Sequence, residues 1–157
     1  MEKLPGDYVA GFVGGEGCFA LKFRRDVKYK RKNKPVYYYW DIEFVIMLHA
    51  NDKEILHRIR FTLGCGRVDN INSRGYVRYS VNDISDLLNI VVPFFEKYPL
   101  HAKKSYDFEL WKEALNIFRR NQKTWDDKNI KRLEQIHNEM RQFKGGNKDW
   151  KWLKPDD

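Results

Sequence analysis

The sequence predicts a mixed α+β fold on three observations: an opening helix of small and apolar residues, two long segments alternating apolar with polar side chains, and helical stripes after about residue 82. At 157 residues the chain is the size of one domain and long enough to bury a core. Residues 1–143 carry this pattern as a single domain. Residues 144–157, with Gly145-Gly146 and few aliphatics, read as a loose tail whose Trp150 and Trp152 offer docking points.

Pro5 suits a first helical turn and Gly17 a stop, which brackets a helix around Tyr8–Glu16. Small residues recur four apart in it, Ala10 with Gly14 and Gly11 with Gly15. Glycine inside a helix costs roughly 0.5–1 kcal/mol relative to alanine, so Gly11, Gly14 and Gly15 together need a reason. Close approach of a second helix, backbone to backbone, supplies it. Glu16 follows at the C-terminal end, where the macrodipole and unpaired carbonyls disfavour negative charge, so a positive group is expected there. If the helix packs on a copy of itself, two Glu16 carboxylates converge, and a divalent cation relieves their repulsion.

Two strands follow. The first sets Phe19, Leu21 and Phe23 on one face against Ala20, Lys22, Arg24 and Asp26. The second points Trp40, Ile42, Phe44, Ile46 and Leu48 inward and Tyr39, Asp41, Glu43, Val45 and Met47 outward. Between them Val27 to Pro35 is cationic and aperiodic, an exposed and mobile connection. Asp52 is expected to cap a helix through Ile55, Leu56, Ile59 and Leu63, ended by Gly64. A hairpin comes next, with strands over Arg67–Ile71 and Tyr76–Val81 around Asn72-Ser73-Arg74-Gly75. Asn82 or Asp83 caps a helix with Ile84, Leu87, Leu88 and Val91, broken near Pro93. Helices over about Ala102–Arg119 and Asp126–Phe143 carry the stripes Phe108, Trp111, Leu115, Phe118 and Ile130, Leu133, Ile136, Met140.

A net charge of +8 and a pI near 9.4 predict a polyanionic partner, with nucleic acid the leading candidate. The aromatics Tyr37 to Trp40 beside Lys28 to Lys34 point the same way. Cys18 and Cys65 are too few for a disulfide framework or a zinc cluster and fit a reducing compartment. An apolar run of about 18 residues is absent, as is a signal-peptide pattern at Met1 to Asp7, so no membrane partner is expected.

The segment Val9-Ala10-Gly11-Phe12-Val13-Gly14-Gly15-Glu16-Gly17 resembles the signature motif of the LAGLIDADG homing endonucleases, in the variant that ends Gly-Glu-Gly-Cys-Phe. Two further segments match in the family's order: Phe44 to Asp52 leading to Leu63-Gly64-Cys65-Gly66, and Pro93 to Leu100 followed by Lys103-Lys104. The resemblance spans about residues 5–120. It implies the order α-β-β-α-β-β-α, with a curved four-stranded antiparallel sheet and helices packed on one face. A single motif in a chain of this length implies a homodimer joined through Ala10, Gly11, Gly14 and Gly15.

By the same resemblance Glu16 and Gly15 are placed at the metal, Mg²⁺ or another hard cation such as Mn²⁺, or Ca²⁺ in a non-cleaving complex. Lys104 or the adjacent Lys103 is the candidate basic group, while beginning a helix or touching the DNA backbone is their plainer role. His49, with Asn51, stands where the family positions water around the metal, and a hydrogen-bonded structural histidine is the alternative. Gly14 departs from the family, which usually carries an acid there; it either extends the packing face or lowers cleavage efficiency.

A concave sheet with basic and polar side chains outward suits the major groove. Lys22, Arg24 and Arg78 are candidates for guanine or phosphate contacts, with Tyr39 and Arg67 beside them. Asp41 and Glu43 either accept from cytosine amino groups or pair across strands with those bases. The resemblance implies an intron-encoded, site-specific endonuclease that cuts both strands of a long pseudo-palindromic DNA across the minor groove, leaving 3′ overhangs. It would act inside the cell with the host genome, in an organelle or the prokaryotic cytoplasm. An RNA maturase acting on the host intron, or a non-cleaving DNA-binding regulator, would use the same scaffold.

Overall fold

A helix over Gly6–Glu16 (α1) starts directly after Pro5, whose carbonyl accepts from the Val9 N–H at 3.1 Å. The computed structural model describes residues 1–27, 36–120 and 126–142, and side chains within these except at 24–27, 36–38 and 141–142. The cationic connection, beyond Val27 itself, and the tail with Trp150 and Trp152 lie outside the described residues.

The chain passes from α1 straight into β1 (Gly17–Val27), antiparallel to β2 (Val36–His49) from Gly17↔Ile46 to Val27↔Val36. A 3₁₀ turn (Ala50–Asp52), α2 (Lys53–Leu63), β3 (Arg67–Val68) and β4 (Tyr76–Val81) follow. The sheet order is β1-β2-β4-β3, every pair antiparallel. β4 lies beside β2 from Phe44↔Val81 to His49↔Tyr76, so among the described residues the first half of β2 pairs with β1 alone.

Alternation puts Phe19, Leu21, Ile42, Phe44, Ile46 and Leu48 on one face, joined by Val77, Tyr79 and Val81 from β4, and all are buried under the helices. Phe19 sits among Phe44, Phe95, Phe108 and Trp111 at centroid distances of 5.1–5.6 Å. The two polar aromatics in this core each reach a backbone carbonyl. Trp111 Nε1 donates to Ala20 at 3.3 Å and the Tyr79 hydroxyl donates to Cys65 at 2.9 Å. Burial pushes the Cys65 thiol up to about 11, with Asp86 adding to the rise, which keeps it an inert thiol.

Phe23 departs from the inward pattern and is 49% exposed. It lies where the sheet has narrowed to two strands. Its ring packs on Trp40 at 4.9 Å, and Trp40 is met on another side by His137 at 5.7 Å.

The turn into α2 also differs from expectation. Asp52 precedes the helix without a side-chain cap; instead His49 Nδ1 accepts from the Asn51 N–H at 3.3 Å and caps the 3₁₀ turn. Gly64 ends α2 in the left-handed region at φ 82, as glycine allows. β3 is shorter than the expected Arg67–Ile71, because Ile71 is exposed and has no core to face. The hairpin turn itself forms around Asn72, whose Oδ1 accepts from the Arg74 and Tyr76 N–H groups.

Asp83 caps the next helix by accepting from the Asp86 N–H at 3.0 Å. Pro93 does not break it. Helix α3 (Ile84–Asp86) widens into a π turn (Leu87–Val91) and resumes as α4 (Val92–Lys97), with the Val92 N–H reaching the Leu87 carbonyl. Proline then falls in the first turn of α4, where its missing donor disrupts least. Helix α5 (Ala102–Arg120) crosses the sheet, and α6 (Asp127–Gln142) packs Leu133, Ile136 and Met140 against the body. Among the described residues no helix is long and apolar enough to cross a membrane.

Candidate nuclease centre and sheet face

One turn of helix holds Val9, Ala10 and Val13 against the core, since 100° per residue places these three on one side. Ala10 therefore faces inward, which corrects its expected place on the interface. The opposite face carries Gly11, Gly14 and Gly15, all exposed, and among the described residues a Cβ added at any of them would meet nothing within 4 Å. Tyr8 flanks this strip at 49% exposure and stacks on Phe12. α1 thus offers a bare backbone surface.

Glu16 ends that helix, exposed, with no basic residue in the last turn. Among the described residues its carboxylate makes no hydrogen bond or ion pair. A cation does reach this end of the helix from elsewhere in the chain, on the neighbouring carbonyl and not on Glu16: Lys104 Nζ donates to Gly17 O at 2.5 Å. Lys103 and Lys104 stand in the first turn of α5, where the macrodipole disfavours cations and no acid offsets them. The chain enters α5 through Ala102 at φ 54, a left-handed backbone that costs alanine on the order of 1 kcal/mol. Lys104 is unfavourable for its own helix and favourable for the C-terminal end of α1. Lys103 is exposed. His49 is exposed too, its ring edge-on to Tyr76.

The donors at the end of α1 are a carboxylate and backbone carbonyls, hard oxygens suited to a hard divalent cation. Among the described residues no three His, Cys, Asp or Glu side chains gather within one chain. The Glu16 carboxylate and the carbonyl oxygens beside it are of the donor type such an ion takes, and they fall short of a full ligand set among the described residues.

On the outer face of the sheet, Glu43 is the organising group. Its carboxylate takes both Lys22 Nζ and Arg78 Nη2, the latter at 2.5 Å. Glu43 is itself only 8% exposed. In register Arg78 stands opposite Met47, so reaching Glu43 carries its side chain along the Val45–Ser80 pair. Val45 and Ser80 are accordingly buried despite pointing outward, as is Ala20 opposite Glu43. Alternation alone did not reveal this covered centre; the small residues Ala20 and Ser80 on the outer face were the available signal. The trio borders an open recess of about 490 Å³ with Asp41, Asn82 and Phe118. Tyr39 is 40% exposed further along β2, and Arg67, on the far edge, pairs with Asp69 at 3.1 Å. Arg24 stands opposite Tyr39 in β1, and its side chain lies outside the description.

An open antiparallel sheet backed by helices, preceded by a glycine-faced helix ending in a carboxylate, defines a class, and the comparisons agree. The family model described as LAGLIDADG endonuclease matches residues 9–115, and the chain belongs to this family. It is 30% identical over 124 residues to the probable intron-encoded endonuclease 2 of Neurospora crassa, covering 77% of this chain and 26% of that protein. It is 30% identical over 137 residues to the probable intron-encoded endonuclease Cox1-I1b of Schizosaccharomyces pombe, covering 87% and 33%. The chain thus spans a quarter to a third of these curated relatives. Among solved structures, the homing endonuclease I-TnaI superposes with a TM-score of 0.73 at 30% identity, covering 91% of this chain and 95% of that one. I-LtrWI bound to target DNA superposes with a TM-score of 0.75 at 26% identity, covering 89% and 45%.

Proposed function

We propose that two copies of this chain, joined along the glycine strip of α1, form a divalent-metal-dependent endonuclease that cuts both strands of a long pseudo-palindromic DNA. The observation that carries it is Glu16, an exposed carboxylate at the negative end of a helix whose outer face is bare glycine. Symmetry would bring two such carboxylates to one seam. I-LtrWI, a structure bound to target DNA, is matched over 45% of its chain, so two copies of this fold have the extent of one such protein.

Glu16 and Gly15 from each copy would hold Mg²⁺ or a similar cation between the subunits and the scissile phosphates. When bound, that ion activates water and neutralises charge developing on the phosphate. Lys104, fixed by the Gly17 carbonyl, adds a positive charge at the same end of α1, and exposed Lys103 is free to meet the DNA backbone. The outer sheet face, with Lys22, Arg78 and Tyr39, would lie in the major groove and select the sequence.

Glu16→Gln tests this. Duplexes enriched from a random pool by the wild-type protein serve as substrate, with Mg²⁺ present. Cutting should fall by at least about a hundredfold, the scale expected for loss of a catalytic group, while binding stays within a few-fold. Equal loss of binding would make Glu16 a structural residue and overturn the assignment. One observation favours a second reading, a DNA-binding regulator that does not cut: Gly14 leaves the seam without the acid usual in the family. Binding of the enriched duplex without products would establish it.

A further inference from the structure

We propose that Glu43 is a positioning residue that sets sequence discrimination by holding Lys22 and Arg78 in reserve on the outer sheet face. The proposal rests on the reading that this face meets DNA. Both cations converge on one carboxylate, itself buried. Lys22, opposite Asp41 in register, reaches diagonally along β2 to Glu43, and Arg78, opposite Met47, reaches past the Val45–Ser80 pair to the same carboxylate. Neither cation is held straight out from the sheet.

Phosphate contacts carry no sequence information, whereas a guanine edge presents two acceptors matched to an arginine fork. With Glu43 present, DNA must compete for each cation against a partner already in place. A guanine edge placed to take the arginine fork at both acceptors would recover more of what the carboxylate supplied than a single-point phosphate contact would. Glu43 also repels phosphate, which lowers the affinity of the pair for DNA of any sequence. Its negative charge thereby trades general affinity for discrimination, and it need touch no base to do so.

Glu43→Gln keeps the shape and removes the charge. Wild type, Glu43→Gln, Lys22→Ala and Arg78→Ala are compared by binding selection on a random duplex pool and by titration of enriched and scrambled duplexes over a salt series. For Glu43→Gln the scrambled duplex should bind several-fold more tightly, and the salt dependence should steepen by about one phosphate contact, a slope change near 0.9 in log–log form. Preference should weaken by about tenfold, and only at the base pairs whose preference Lys22→Ala or Arg78→Ala also erases. Unchanged discrimination, or an even loss at every position, would overturn the proposal. If Lys22→Ala and Arg78→Ala alter neither profile nor affinity, it is the reading of this face as the DNA surface that has failed. Should Glu43→Gln not fold by thermal melting, Glu43→Asp carries the test: the same base pairs must lose preference with the salt slope unchanged.

Discussion

Replacing Gly11, Gly14 and Gly15 together by alanine puts two ideas about α1 in opposition. All three have helical backbone, since the positive-φ glycines are Gly64, Gly66 and Gly75, and an added Cβ at each meets nothing within 4 Å. In an isolated chain each substitution should therefore stabilise by about 0.5–1 kcal/mol, or about 1.5–3 kcal/mol in all. At roughly 2–4 °C per kcal/mol for a chain of this size, Tm rises by about 3–12 °C. Across a two-fold seam packed backbone to backbone, the same methyls occur on both helices. Overpacking costs on the order of 1–3 kcal/mol per site, and each 1.4 kcal/mol is tenfold in Kd. The triple variant should thus be a more stable monomer and a dimer weakened by at least about a hundredfold. Sedimentation over a concentration series, paired with melts at the dilute end, reads both quantities. A variant that melts higher and dimerises as tightly as wild type would refute close packing as the reason for these glycines.

Two further predictions concern the body of the fold. Hydrogen bonds from Arg132, at 2.6 and 2.7 Å, hold the Glu113 carboxyl below the ordinary carboxylate range, so its contribution to tying α6 onto α5 is present above that range and lost as pH falls through it. Both side chains are more than a third exposed, which limits the effect to well under about 1 kcal/mol; urea melts of wild type and Glu113→Gln should differ at neutral pH and converge as pH falls below the ordinary carboxylate range. Phe19→Ala, in the ring of four aromatic neighbours, should cost about 3–5 kcal/mol by urea denaturation. A loss below about 1 kcal/mol would mean that this layer does not form.

The strands were legible because one face of each is a pure apolar series, and the burial of Ile42, Phe44, Ile46 and Leu48 follows it. Three features were not, each for a physical reason. Burial of Val45 and Ser80 goes with Arg78 reaching past them to Glu43, which alternation within one strand cannot register. Survival of the helix through Pro93 depends on a π turn. Capping by the His49 ring in place of Asp52 follows from how β2 ends beside Gly75, whose carbonyl takes the Ala50 N–H at 2.8 Å. At the candidate site, Glu16 was readable because its motif is local. The contact of Lys104 with Gly17 joins positions 87 apart, and no spacing rule reaches that far.

Charges at two helix ends run against their own macrodipoles, and both lie at one place. Lys104 opens α5 where a cation is disfavoured, yet it meets the Gly17 carbonyl at the negative end of α1, so the fold offsets that conflict internally. Glu16 gains no such partner among the described residues. Exchanging Glu16 for a lysine would relieve the chain by about 0.3–1 kcal/mol on helix-dipole grounds alone. Among the described residues Lys104 is held on the neighbouring carbonyl and not on this carboxylate, and doubling the carboxylate at a seam would strengthen the demand for an external cation. The local instability and the proposed chemistry are in this way the same feature: a group the described residues do not satisfy, exposed at the place where the proposal sets a second chain and a metal ion.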